Sequence, residues 1–151
     1  KRECRCTSKQ IQNYLIKVSG PLLDRIDIHI EMPSVNYEEL SSLEEGESSA
    51  VIRERVVEAR NRQQHRFSKL DRIHSNSDMG TREIAKYCEM TPDAQQMLKV
   101  AINELNFSAR AYDRIIKVSR TIADMAEAKN IEYNHVTEAI QYRTLDRQMW
   151  V

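Results

Sequence analysis

The run Ser108-Ala109-Arg110-Ala111-Tyr112-Asp113-Arg114-Ile115-Ile116-Lys117-Val118-Ser119-Arg120-Thr121-Ile122-Ala123-Asp124-Met125 carries two apolar stripes side by side. Ala111, Ile115, Val118, Ile122 and Met125 recur at helical spacing, and Tyr112, Ile116, Ser119 and Ala123 form a second stripe beside them. Together they make a wide apolar arc. A helix with such an arc touches neighbours on several sides, so residues 108–127 are predicted to be the central helix of a bundle. Ser108 supplies the capping hydroxyl.

The segments on either side agree. Thr91-Pro92-Asp93 starts a helix with a capping hydroxyl, Pro in the first turn and an acid at the positive end of the dipole. Its core stripe is Ala94, Met97, Leu98, Ala101 and Leu105. Downstream, Asn134 caps a last helix through Val136, Ala139 and Ile140 to about residue 143, and the tail from Leu145 to Val151 either docks through Trp150 or frays. Upstream, Thr81 caps a short helix with Ile84 and Cys88, and residues 71–79 form a loop. Ser48 or Ser49 caps a longer helix to about residue 69, with Ile52, Val56, Ala59, Phe67 and Leu70 as its inner stripe. Residues 34–47 hold five glutamates and no base, which reads as a solvated connection. Before them, Ser8 caps a helix over 8–18 with Ile11, Tyr14, Leu15 and Val18, and Gly20-Pro21 ends it. Ile26-Asp27-Ile28-His29-Ile30-Glu31 alternates with period two and is predicted as a strand, stopped by Pro33.

A lone strand cannot satisfy its backbone. No second good strand exists in the 151 residues, and the chain begins at Lys1 rather than Met. We therefore expect a piece of a longer protein, divided into 1–33, a linker 34–47, a helical domain 48–145 and a tail 146–151. Three glycines and three prolines disfavour a turn-rich β fold. Lys plus Arg equals Asp plus Glu at 23 each, so any basic site must be local. No run is apolar enough for a membrane span, and no secretory leader is visible. Three cysteines without a scaffold pattern suit a reducing cytoplasm.

Four constellations carry possible chemistry. Cys4 and Cys6, one residue apart, are two free thiols or half of a zinc site whose other ligands lie elsewhere. Arg25, at the junction of a helical turn and a strand, either reaches a neighbouring γ-phosphate or pairs with Asp24 or Asp27. Arg110, Arg114, Lys117 and Thr121 share one helix face. Arg110 in the first turn opposes the dipole unless an anion is near, so this face is a phosphate site or a solvated surface paired with Asp113 and Asp124. The helix from Ser48 carries six cations, Arg53, Arg60 and Arg62 among them, against two acids. It tracks a phosphate backbone or is a solvated face balanced by the acidic linker. The sequence has no G-x-x-x-x-G-K-[ST] phosphate loop and no paired acids for magnesium, so the isolated chain is expected to turn over no nucleotide. The four histidines are scattered, and each is expected to be solvated or satisfied.

Several of these motifs resemble the magnesium-chelatase-like AAA+ ATPase family. They are Cys4-x-Cys6, the run Val18-Ser19-Gly20-Pro21-Leu22-Leu23-Asp24-Arg25-Ile26-Asp27-Ile28-His29, and Gly46-Glu47-Ser48-Ser49 with Arg53 and Arg55. Phe107-Ser108-Ala109-Arg110-Ala111-Tyr112-Asp113-Arg114 and Glu138-Ala139-Ile140-Gln141-Tyr142-Arg143 belong to the same set. The resemblance implies a mainly α C-terminal helical lid, preceded by a short helix–strand remnant of the ATPase core. It implies that Arg25 is an arginine finger offered to the next subunit. It also implies that Arg110 is the lid's sensor-2 arginine, with Arg114 beside it at the nucleotide. ATP and Mg2+ would be bound by the parent, a homo-oligomer similar to hexameric DNA branch-migration motors. The other reading is a helical module that binds protein or DNA and has no part in nucleotide turnover.

Overall fold

The computed structural model describes residues 5–35, 37, 41, 46–105 and 107–143. Among them are seven α-helices and no strand: α1 (Ser8–Leu15), α2 (Gly20–Leu23), α3 (Ser49–Phe67), α4 (Thr81–Tyr87), α5 (Pro92–Leu105), α6 (Ala109–Met125) and α7 (Tyr133–Gln141). One 3-10 turn, Asn76–Asp78, lies in the expected loop.

α6 is the central element. It packs on α7, α3, α4 and the 3-10 turn, and α5 closes the bundle against α7. Ala111, Ile115, Ile116, Ser119 and Ala123 are buried, so the buried axis falls between the two predicted stripes. Met125 and Tyr112, at the edges of the arc, are exposed. The core adds Phe67, Leu98, Ile131, Val136 and Ile140. Phe67 meets Tyr87 edge to face, with ring centroids 5.4 Å apart, which fixes α4 against α3. The loops entering α5 and α7 touch through a parallel bridge between Met90 and Ile131. There the Ile131 N–H donates to Glu89 O at 2.8 Å, and the Thr91 N–H donates to Ile131 O at 3.0 Å.

The helix boundaries follow local capping. Ser108 Oγ accepts from the Ala111 N–H at 3.2 Å, and Ser48 Oγ accepts from the Val51 N–H at 3.4 Å. Three expected caps are replaced. α1 is capped by Thr7 in a box with Gln10, not by Ser8, and it ends at Leu15 rather than at residue 18. Gly80 rather than Thr81 precedes α4, because the Glu83 carboxylate reaches back to the Gly80 N–H at 2.8 Å. Glu132 rather than Asn134 precedes α7, because His135 Nδ1 accepts the Glu132 N–H at 3.0 Å. At the end of α6 the Glu127 N–H donates to Asp124 O, and the Ala128 N–H to Ala123 O. That is a Schellman closure, with Glu127 at φ 59° where glycine is usual.

Two further expectations are corrected. The inner stripe of α3 is buried only at its C-terminal half. Ala59, Gln63 and Phe67 are buried, whereas Ile52 and Val56 are exposed, because α3 extends beyond the bundle it packs on. Residues 26–31 form no strand. The segment bends at Asp27 and lies on the end of the bundle, bonded to Tyr142 and Arg143, instead of pairing in a sheet. Cys4, most of the acidic linker and Trp150 lie outside the described residues. No helix among the described residues is long and apolar enough to cross a membrane.

Candidate functional site

The cation face of α6 lines a cleft of about 690 Å³. One wall is the α6 face Arg110, Arg114, Lys117 and Thr121; the other is the segment with Asp27, Ile28 and Ile30. Glu138 and Tyr142 close one end, and Val118, Ile122 and Met125 supply apolar lining. The site is therefore amphipathic, with cations over an apolar surface.

The four side chains of that face differ in their partners. Arg114 pairs with the Asp27 carboxylate. Lys117 Nζ donates to Ser77 O at 2.9 Å. Thr121 Oγ1 donates to Lys117 O at 3.0 Å and accepts from Asn76 Nδ2 at 3.0 Å. Arg110 is exposed and forms no ion pair among the described residues. It sits in the first turn of α6, where the helix dipole disfavours a cation and favours an anion beside it. The Tyr142 hydroxyl donates to Glu138 Oε1 at 3.0 Å. That hydrogen bond and the Glu138 charge hold its pKa above the ordinary value, so it stays a donor.

Arg25 follows α2, is exposed, and does not line this cleft. It forms no ion pair with Asp24 or Asp27, since Asp27 is engaged by Arg114. Leu23, buried just before it, anchors the turn. Arg53 and Arg60 are exposed on α3. Arg62 is engaged at the end of α6, with Asp124 O at 2.9 Å and the Glu127 carboxylate at 2.5 Å. Cys6 is exposed. Among the described residues no group of three His, Cys, Asp or Glu side chains is arranged to hold a metal ion.

Behind the cleft lies a polar cluster that the sequence reading missed. Asp124 and Arg120 are almost fully buried. The Asp124 carboxylate accepts from Arg66 through both guanidinium nitrogens, from Asn76 Nδ2 at 2.9 Å and from Arg120 Nε at 3.1 Å. Arg120 donates onward to Ala128 O at 2.7 Å and Lys129 O at 2.8 Å. Burial draws the Arg120 pKa down, and Asp124 opposes that. The i,i+4 spacing of Arg120 and Asp124 was a usable signal. Asp124 was expected to pair on the solvated face. Cys88 packs nearby as a buried small hydrophobe, with its thiol pushed up to about 11 by burial.

The chain is a helical bundle with a capped central helix, a cationic cleft on that helix and an N-terminal segment across it, and its family match makes it an AAA+-type C-terminal region. Residues 46–143 match the family described as magnesium chelatase, subunit ChlI C-terminal, and residues 1–40 match magnesium chelatase, subunit ChlI. The chain belongs to this magnesium chelatase family. It is 42% identical over 144 residues to the uncharacterized protein YifB of Salmonella typhimurium, a match covering 95% of this chain and 28% of that protein. It is 39% identical to the competence protein ComM of Haemophilus influenzae, over 95% of this chain and 27% of that protein. The YifB of Escherichia coli is also 39% identical, over 95% of this chain and 28% of that protein. The chain thus spans just over a quarter of the length of these curated relatives.

Proposed function

We propose that this chain is the C-terminal lid of an AAA+ ATPase that works as a homo-oligomer, a hexamer, on DNA. In this reading Arg110 contacts the phosphates of ATP, and Arg25 is the finger offered to the neighbouring subunit. One observation carries the proposal: of the α6 cation face, Arg110 is the member without a partner among the described residues, at the mouth of an amphipathic cleft. A nucleotide fits such a site, since its phosphates need a cation and its base needs apolar cover. ATP, when bound, supplies the phosphoryl group. The guanidiniums stabilise the charge that develops on it, and the closed lid excludes water.

The test is ATP turnover by the full-length parent carrying Arg110→Ala, with oligomer size measured on the same sample. An arginine of this kind supports about 10³-fold or more in kcat, so turnover should collapse while the ring still forms. Wild-type turnover would end the proposal. A second reading rests on α3, where Val51, Ile52, Val56 and Val57 are exposed beside Arg53 and Arg60. Under it, α3 binds a protein or DNA partner and nucleotide turnover is indifferent to Arg110. Salt-dependent DNA binding lost on neutralising Arg53, Arg60 and Arg62 would favour it.

A further inference from the structure

We infer that Asp27 and Arg114 are a positioning pair that ties Arg25 to Arg110, so that the segment 26–29 acts as a strap setting the placement of the two cations. The inference rests on the reading above, that both arginines face nucleotide. Three contacts fix the strap. Asp27 pairs with Arg114 on α6. The His29 N–H donates to Tyr142 O at 2.7 Å. Arg143 Nη1 donates to Ile26 O. His29 and Arg143 are buried at this junction, whereas Ile26 and Ile28 keep 40% and 45% of their surface exposed.

Apolar cover of Ile26 and Ile28 is partial, so polar contacts share in holding the strap. A segment without a sheet partner would leave its backbone to water. Here two of its backbone groups are taken by residues just past α7, which fixes its register on the lid. The lever arms on either side of the ion pair are short. Arg25 precedes Asp27 by two residues, at most about 7 Å of chain. Arg110 precedes Arg114 by about one helical turn, roughly 6 Å along the axis. A rotation of the lid thus carries Arg25 with it. The pair is also reversible, since its side chains are 29% and 49% exposed and exchange readily with water. Arg114, whose charge Asp27 already matches, is a positioning residue in this scheme rather than a phosphate ligand.

The experiment compares Asp27→Asn, Arg114→Gln and the exchange Asp27→Arg with Arg114→Asp in the full-length parent, beside Arg110→Ala. It measures kcat, nucleotide KM, oligomer size and hydrogen exchange at the His29 amide. Misplacement by about an ångström lowers kcat by roughly 10- to 100-fold, so each single variant should do so with KM changed by no more than about twofold. The His29 amide should exchange faster in both, and the charge exchange should recover most of the turnover and the protection. A raised KM in Arg114→Gln alone, with no recovery in the exchange, would make Arg114 a direct ligand and overturn the tie. Wild-type kcat in both single variants, beside a dead Arg110→Ala, would overturn the tie and leave the nucleotide reading intact. Wild-type turnover in Arg110→Ala would overturn both.

Discussion

Replacing Asp124 by Asn removes one charge from the buried cluster while preserving shape. The native carboxylate, 1% exposed, accepts four hydrogen bonds, three of them from Arg66 and Arg120. An amide at this place keeps one acceptor oxygen and turns an NH2 group toward donors. It also leaves Arg120, 2% exposed, without its counter-charge. Breaking a buried pair from one side costs about 3–5 kcal/mol. The onward bonds of Arg120 to Ala128 O and Lys129 O keep its other donors satisfied, so a middle value of about 4 kcal/mol is expected. For a helical unit of this size that lowers Tm on the order of 15 °C. Urea titration followed by far-ultraviolet circular dichroism measures it, with Glu104→Gln on the exposed face of α5 as a control expected within about 0.5 kcal/mol of wild type. A loss below about 1 kcal/mol for Asp124→Asn would refute the claim that this carboxylate compensates buried charge. Replacing Arg66, Arg120 and Asp124 together by Met, Met and Leu should cost less than the single change.

Three further expectations follow from the capping and burial. Glu127→Gly should stabilise by up to about 1 kcal/mol: glycine relieves the φ of 59°, while the lost ion pair to Arg62 involves a Glu127 that is 66% exposed. Glu127→Ala, which keeps the strain and loses the pair, should fall below wild type in the same urea titration. Ser108→Ala should cost about 1 kcal/mol, and Ser48→Ala less, because the first half of α3 is exposed and frays. Burial raises the Cys88 thiol from 9.0 to about 11, partly opposed by Arg120 and Arg66. The native state therefore holds its proton at pH values where the unfolded chain has lost it. Stability is fully present below pH 9 and falls by up to about 1.4 kcal/mol per pH unit between 9 and 11. The urea midpoint of wild type minus that of Cys88→Ala isolates this slope, and a flat difference would refute it.

The bundle was legible because its signals are local. Ser108, Ser48 and Pro92 mark helix starts by chemistry that acts within one turn, and the wide arc of α6 named the central helix. The failures came where a distant partner decides. Alternation in residues 26–31 predicts a strand, but the segment bends at Asp27 and its backbone is received by Tyr142 and Arg143 just past α7. Arg66 and Asp124, 58 residues apart, read separately as surface charges. Only the fold brings them together. The site was half legible: the α6 cation face follows from spacing, whereas the cleft and the partners that separate Arg110 from Arg114 and Lys117 depend on other elements.

The bridge between Met90 and Ile131 bears on the order of folding. Joining Thr91 to Ile131 closes a loop of 40 residues, at a chain-entropy cost of about 3 kcal/mol that two amide bonds cannot meet alone. The bridge therefore forms after α5, α6 and α7 have collapsed onto one another, as a late latch rather than a nucleus. Once closed, it opens only when the whole bundle does. The amides of Thr91 and Ile131, in connecting segments where fast exchange is the rule, should be among the slowest in the chain and report its global stability.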